Sequence, residues 1–216
     1  MLNKYSDLVV QLAKPEWTVL DLGVGHGITI NKFAKFFSDY TVLAGSRSII
    51  ENFWKSFPDV RVQIVETYFE DFETDKKYDL IILGFVLEHV DNPCLILEKY
   101  KKLLTPQGKM FIAVPNAETL NRRIGYCAGL LDDIKELSEN DKAFGHKRYY
   151  TINDFEKDLA KAGLVSTKYV GLYLKPLTSK QLSKLNLSME VFDAFLKIGE
   201  EYPELSLGFL ACVEAQ

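Results

Sequence analysis

A chain of 216 residues, 47% hydrophobic and 26% charged, can bury one sizeable core and has the balance of an ordinary globular domain. Its net charge of −4 excludes the basic footprint of a nucleic-acid or anionic-membrane binder. No stretch approaches the ~20 apolar residues that span a bilayer.

From the N-terminus, "MLNKYSDLVVQLAKPEW" reads as an amphipathic helix rather than a signal peptide. Strand-length apolar runs follow at Thr18–Leu22, Thr41–Ala44, Val60–Val65, Leu80–Leu83 and Lys109–Val114. Helical patterns separate them at Ile28–Phe37, Ile49–Phe57 and Pro93–Leu104, and "PQGK" at 106–109 makes a turn into the fifth strand. This alternation predicts a doubly wound α/β sheet with helices on both faces. The rhythm then breaks from about 116 to 148. A helix capped by Thr151 and ended by Gly163 restores it, and a strand near Leu164–Leu174 follows. A second irregular piece at 177–203 precedes a last strand near Leu207–Val213. We therefore expect a single domain, 1–216, whose two insertions form a lid or substrate pocket; surface elaboration or a dimer contact is the plainer use of them. Cys94, Cys127 and Cys212 form no metal-spaced pair and fit packing roles in a reducing compartment, so a cytoplasmic location is expected.

The stretch "VLDLGVGHGITI" runs from a strand through three alternating glycines, Gly23, Gly25 and Gly27, into a helix. Glycines there let a ligand approach bare backbone, and the helix start offers free N–H groups. A dinucleotide loop has the spacing G-x-G-x-x-G, which would need a glycine where Ile28 stands. Asp21 would also repel a pyrophosphate. A carboxylate suits a positively charged cofactor instead, such as the sulfonium and α-amino group of S-adenosyl-L-methionine.

"DLGVGHG" resembles the first motif of the class I S-adenosylmethionine-dependent methyltransferases. "YDLIILGFVLEHVDNPCLILEKYKKLLTPQGKMFIAVPN", residues 78–116, is similar to the fourth- and fifth-strand region of that family, with "LEHV", Pro93 and "LLTPQGK" its specific marks. The resemblance covers roughly residues 15–116 and the helix and strand after Thr151. It implies a mostly parallel seven-stranded sheet with an antiparallel last strand, supplied by "LSLGFLACVEAQ". It also implies that Asp21, Gly23, Gly25 and Gly27 bind the methionine end of the cofactor, and that Gly84 lets the methionine lie against backbone.

Two positions depart from the family pattern. Ser46 stands where an acid usually holds the ribose, followed by Arg47; Glu51 a turn later, Ser46 with water, or a weakened site are the alternatives. The Ser-Arg pair would also suit an NADP phosphate, a reading opposed by Asp21 and by the glycine spacing. In "VETYFEDFE", Tyr68 takes the place of the expected acid. Phe69 then lies against adenine or simply in the core, with Glu70 at the adenine edge.

Methyl transfer to an alcohol needs a base near the hydroxyl, and the three histidines, His26, His89 and His146, all fall on the expected catalytic rim. His146 in "GHKRYY" is the expected base, with His89 as alternate; hydrogen bonding to loop backbone is the plain alternative for His26 and His89. Asn116, Arg122, Arg123, Arg148, Tyr149 and His26 are expected around the acceptor, Arg148 as a bidentate clasp for an anion. A solvated, self-paired lid surface would account for the same charges. No cysteine pair or acidic trio suggests a metal, and "VPN" differs from the "NPPY" type of signature used on exocyclic amines of bases. The sequence thus predicts O-methylation of a small polar or anionic metabolite, with a surface-glycan precursor implied by resemblance. It predicts no nucleic-acid or membrane partner and a monomer or homodimer. A methyltransferase-like binding protein with a decayed cofactor site is the second reading, and an NADP oxidoreductase the third.

Overall fold

The first expected strand forms as β1 (Thr18–Leu22), and four of its five residues are buried. The computed structural model describes residues 2–216. Side chains alternate across β1: Leu20 and Leu22 enter one hydrophobic cluster and Val19 the other. Asp21 therefore shares the face of Val19, on which helices α1 (Leu2–Leu12) and α2 (Ile28–Phe36) pack through Tyr5, Leu8, Val9, Ile30 and Phe33. This is the first link from sequence to site, because period-two alternation alone carries the carboxylate beneath α1.

Next come β2 (Asp39–Ala44), α3 (Arg47–Ser56), β3 (Gln63–Glu66), β4 (Tyr78–Gly84), α4 (Pro93–Lys101) and β5 (Leu104–Pro115). Short helices α5 (Leu120–Cys127) and α6 (Glu139–Ala143) fill the first insertion. Helix α7 (Ile152–Lys161) and β6 (Leu164–Gly171) follow, then α8 (Ser179–Leu182), α9 (Met189–Glu201) and β7 (Gly208–Ala215). The seven strands lie in the order β3-β2-β1-β4-β5-β7-β6. β7 runs antiparallel to both β5 and β6, and the other pairs are parallel. The expected architecture holds.

On the second face, Ile96, Leu97 and Tyr100 of α4 and Phe155 and Leu159 of α7 pack against Leu20, Ile81, Ile112 and Phe209. Thr151 caps α7 by accepting from the Asp154 backbone N–H at 3.0 Å, and Gly163 leaves the helix with a φ of 65°. Both were expected from the sequence.

Several boundaries differ, among them β2 and α3, which begin at Asp39 and Arg47, and β6, which ends at Gly171. Val60 N–H bonds back to the Phe57 carbonyl and the Arg61 guanidinium folds back onto that of Pro58, so the chain is still turning and β3 begins only at Gln63. Helix α4 ends at Lys101 rather than Leu104. The "PQGK" turn survives as an irregularity inside β5, where pairing jumps from Tyr78↔Leu104 to Leu80↔Lys109. Of the cysteines, Cys212 is buried and Cys94 half-buried, but Cys127 is exposed, contrary to a packing role. Among the described residues no helix is long and apolar enough to cross a membrane.

β1 pairs with β2 on one side and β4 on the other. The chain order reverses there, so the loops after β1 and β4 splay apart at their carboxyl ends and open a crevice.

Candidate functional site

That crevice is a cavity of about 580 Å³, within the range of small-molecule sites. Asp21, Gly23, Gly25 and His26 line one end, and Glu88, His89, Asp141, His146 and Tyr149 the other. The first insertion thus contributes Asp141, Phe144 and His146, with Tyr149 directly after it, whereas 177–203 contributes none of the lining.

At the β1 end, Gly23, Gly25 and Gly27 have φ of 97°, 51° and 74°, a left-handed run that L side chains resist. A Cβ built on Gly25 would meet nothing within 4 Å, so its bare backbone faces open space. Asp21 is buried, and its Oδ2 accepts from the Tyr40 hydroxyl at 2.6 Å. Burial raises the Asp21 carboxyl to about 7, against the opposing pull of that hydrogen bond. Tyr5, reaching down from α1, has a buried hydroxyl with no partner. Its ring lies over Gly84, where any Cβ would collide with it. Residues that fit a cationic amino-acid moiety thus stand together here: an ionisable carboxylate, open glycine backbone and an unpartnered hydroxyl.

The other end is built by the segment after β4 and the close of the first insertion. Phe85 takes a φ of 61°, an outlier for an aromatic residue, at the bend that leads into Glu88 and His89. Glu88 is 1% exposed, and neither carboxylate oxygen has a hydrogen-bond partner. Burial pushes its carboxyl up to about 8, with its own backbone and Arg148 pulling the other way. His89 Nδ1 lies 3.2 Å from the Gly145 carbonyl. The His146 ring meets that of His89 edge to face at 4.8 Å between centroids. Its Nδ1 is buried without a hydrogen bond, 3.7 Å from Asp141 Oδ1. Burial, then the nearby His89, lowers the His146 pKa, while Asp141 opposes them.

Several expected acceptor contacts are committed elsewhere. Arg148 donates to the carbonyls of Leu87 and Val90, at 2.7 and 2.5 Å, and to that of Asp91 at 3.2 Å. Its fork ties down the Glu88–His89 segment and is not presented as an anion clasp. Asn116 is fully buried, its amide shared among the carbonyls of Pro203, Glu204 and Ser206, and its Oδ1 accepts from Glu118 N–H. Arg122 donates to the carbonyls of Ile134 and Glu136 and covers the Tyr149 ring at 4.6 Å. Arg123 is exposed and His26 stands exposed at the cavity mouth. The adenosine-side candidates lie outside the cavity lining. Ser46 stands at the N-cap position of α3 without a side-chain capping bond, and its hydroxyl pairs with that of Ser48 at 3.0 Å. Glu51 pairs with Arg47 at 3.2 Å. Phe69 touches the space beside Gly23 and packs on the core, while Glu70 is exposed. The exposed Tyr68 ring lies across Gly45.

The sequence reading missed Glu88, Tyr5, Tyr40 and Asp141. Glu88 sits beside His89 in "LEHV", and an acid in an otherwise apolar run was the available signal. Tyr5 and Asp141 carry no signal in sequence, because only folding brings them to the crevice.

The family described as "Methyltransferase domain" matches residues 1–169. The chain belongs to this family. Its resemblance to the class I S-adenosylmethionine-dependent enzymes is thereby borne out, and the oxidoreductase reading is set aside. Among curated relatives of this methyltransferase-family chain, a "Ubiquinone biosynthesis O-methyltransferase" of Chelativorans sp. (strain BNC1) is 27% identical over 165 residues, 75% of this chain and 64% of that protein. One of the same name from Parvibaculum lavamentivorans is 32% identical over 103 residues, 48% and 40% of the two chains. The chain thus spans less than two thirds of the length of these relatives. An S-adenosylmethionine dependent methyltransferase from Mesorhizobium loti shares the fold, with a TM-score of 0.68 at 15% identity, covering 99% of both chains. So does a Burkholderia thailandensis 1,6-didemethyltoxoflavin-N1-methyltransferase, solved with S-adenosylhomocysteine, with a TM-score of 0.63 at 15% identity, covering 100% of this chain and 77% of that one.

Proposed function

We propose that this chain binds S-adenosyl-L-methionine and methylates the hydroxyl oxygen of a small acceptor with an apolar body. One observation carries the reading: a single cavity joins the Asp21–glycine end to the Glu88–His89–His146 end. When bound, the cofactor supplies a methyl group on a positively charged sulfur, already joined to a good leaving group.

The chain's own residues do the rest. Asp21, ionised, attracts the cofactor's amino end, with Gly23, Gly25 and Gly27 offering backbone and Tyr5 its hydroxyl. Ser46, Tyr68 and Phe69 stand after β2 and β3, where the ribose and adenine would extend. In the ion-free protein His146 takes the acceptor's proton, since burial keeps it neutral and Asp141 steadies the imidazolium that results. Leu2, Ile28, Phe85, Val86, Phe144 and Leu207 give the cavity its apolar walls and keep water from the reacting oxygen.

An anionic acceptor is disfavoured because Arg148 and Arg122 serve backbone carbonyls. The apolar walls of the cavity favour a phenol-like or alcohol-bearing apolar acceptor over the surface-glycan precursor of the sequence reading. The O-methyltransferase names of the relatives agree with oxygen as the target. Thermal melting with S-adenosylhomocysteine and with NADPH tests the reading: only the first raises the melting temperature. Stabilisation by NADPH alone would overturn it.

A further inference from the structure

We infer that Glu88, His89 and His146 form a binding site for one divalent transition-metal cation of the zinc type, at the acceptor end of the cavity. One ligand-capable atom of each lies within 4.8 Å of the others, the grouping of this kind found among the described residues. Two features point to an ion rather than to a self-contained polar cluster. Both Glu88 oxygens are buried without a partner, and so is His146 Nδ1. Buried polar atoms are nearly always satisfied, so the two orphaned Glu88 oxygens on the cavity wall call for something that accepts their lone pairs, and an ion on the far nitrogen of His146 would turn its Nδ1–H toward Asp141. Water on the cavity side would satisfy one such atom, but a cation satisfies the carboxylate and both rings at once.

The surroundings of the two rings match those of metal-binding histidines, whose second nitrogen rests against a carbonyl or carboxylate. His89 has its Nδ1 against the Gly145 carbonyl, which leaves Nε2 as its ligand atom. His146 has the Asp141 carboxylate 3.7 Å from its Nδ1. Glu88 and Asp141 place two carboxylates beside the rings, and Arg148, the cation nearest Glu88, has its fork engaged by three carbonyls. Tetrahedral coordination at ~2.1 Å would draw ligand atoms to ~3.4 Å apart, closer than the 4.8 Å within which the three now lie.

Two imidazoles and one carboxylate are the donor set of zinc-type ions, whereas magnesium and calcium prefer oxygen. With three protein ligands, a position stays open toward the cavity. The binding site goes beyond the methyl-transfer reading; the ion's use, to hold and polarise the acceptor hydroxyl, rests on that reading. With the ion in place His146 is a ligand and no longer the base. No metal was expected from the sequence, because the third ligand sits in the first insertion, far along the chain from "LEHV".

The test is calorimetric titration of zinc chloride into the chelator-treated full chain without cofactor, alongside Glu88→Gln and His146→Asn. One zinc per chain is expected, weakened at least tenfold in each variant, with no saturable heat from magnesium chloride. Cobalt(II), loaded in its place, should give a visible absorption band that His146→Asn abolishes. Metal-free melting curves establish that both variants fold, and His146, being only half-buried, serves should Glu88→Gln not fold. Absence of saturable zinc binding, or unchanged affinity in both variants, overturns the site. Titrating S-adenosylhomocysteine into the same samples separates the two proposals. Its binding without zinc binding overturns the cation site alone. Zinc binding without it upholds the site and overturns its place in methyl transfer.

Discussion

The rings of His89 and His146 meet edge to face at an interplanar angle of 81°, one from the segment after β4 and the other from the close of the first insertion. Lys147 N–H donates to the Glu88 carbonyl at 2.8 Å, so the backbone itself staples the two segments together. His146→Asn should therefore lower kcat by about 10²-fold while leaving S-adenosylhomocysteine affinity unchanged, because the cofactor end lies across the cavity. Steady-state rates beside a calorimetric Kd check this; equal loss in both would place His146 in cofactor binding.

Asp21 gives a pH dependence whose sign is fixed. Burial raises its carboxyl to about 7, above its unfolded value, so the folded state holds the proton more tightly. Its protonation contributes stability that is complete below pH ~4 and lost as pH rises through ~7, on the order of a few kcal/mol. A cationic ligand needs the ionised form. Affinity for S-adenosylmethionine should thus rise between pH ~6 and ~8 with release of a proton, and Asp21→Asn should flatten that profile and weaken binding at least tenfold. Titration in buffers of different ionisation heat measures the proton directly.

Arg148 and Asn116 should behave as builders of the site. Asn116→Ala removes the partner of several buried carbonyls and should destabilise the fold by about 2–4 kcal/mol in urea. Arg148→Met should lower kcat and stability together, with no dependence of KM on acceptor charge. A selective loss of anionic acceptors in Arg148→Met would restore it as a clasp.

The legible part of this molecule is local. Thr18–Leu22, the Thr151 cap and Gly163 are fixed by patterns within one or two turns, so sequence alone located them. Glycine spacing beside Asp21 likewise pointed to the crevice. What escaped is set by distant partners. Arg148 beside tyrosines looks like an anion clasp until folding brings the carbonyls of Leu87, Val90 and Asp91 around it. Asn116, next to Pro115, is claimed by carbonyls from the stretch before β7. Tyr5 meets Gly84 only because α1 folds over the sheet.

Ser46 offers a gain-of-affinity test. If the ribose lies beside the start of α3, Ser46→Asp should tighten S-adenosylhomocysteine severalfold, since a carboxylate accepts from two hydroxyls where serine accepts from one. An unchanged Kd would place the ribose elsewhere.

The most direct measurement is calorimetric titration of S-adenosylhomocysteine into the intact chain at pH 8. One ligand per chain is predicted, with affinity falling at least tenfold in Asp21→Asn. No saturable heat in the folded wild-type protein, or identical binding in Asp21→Asn, would contradict the account.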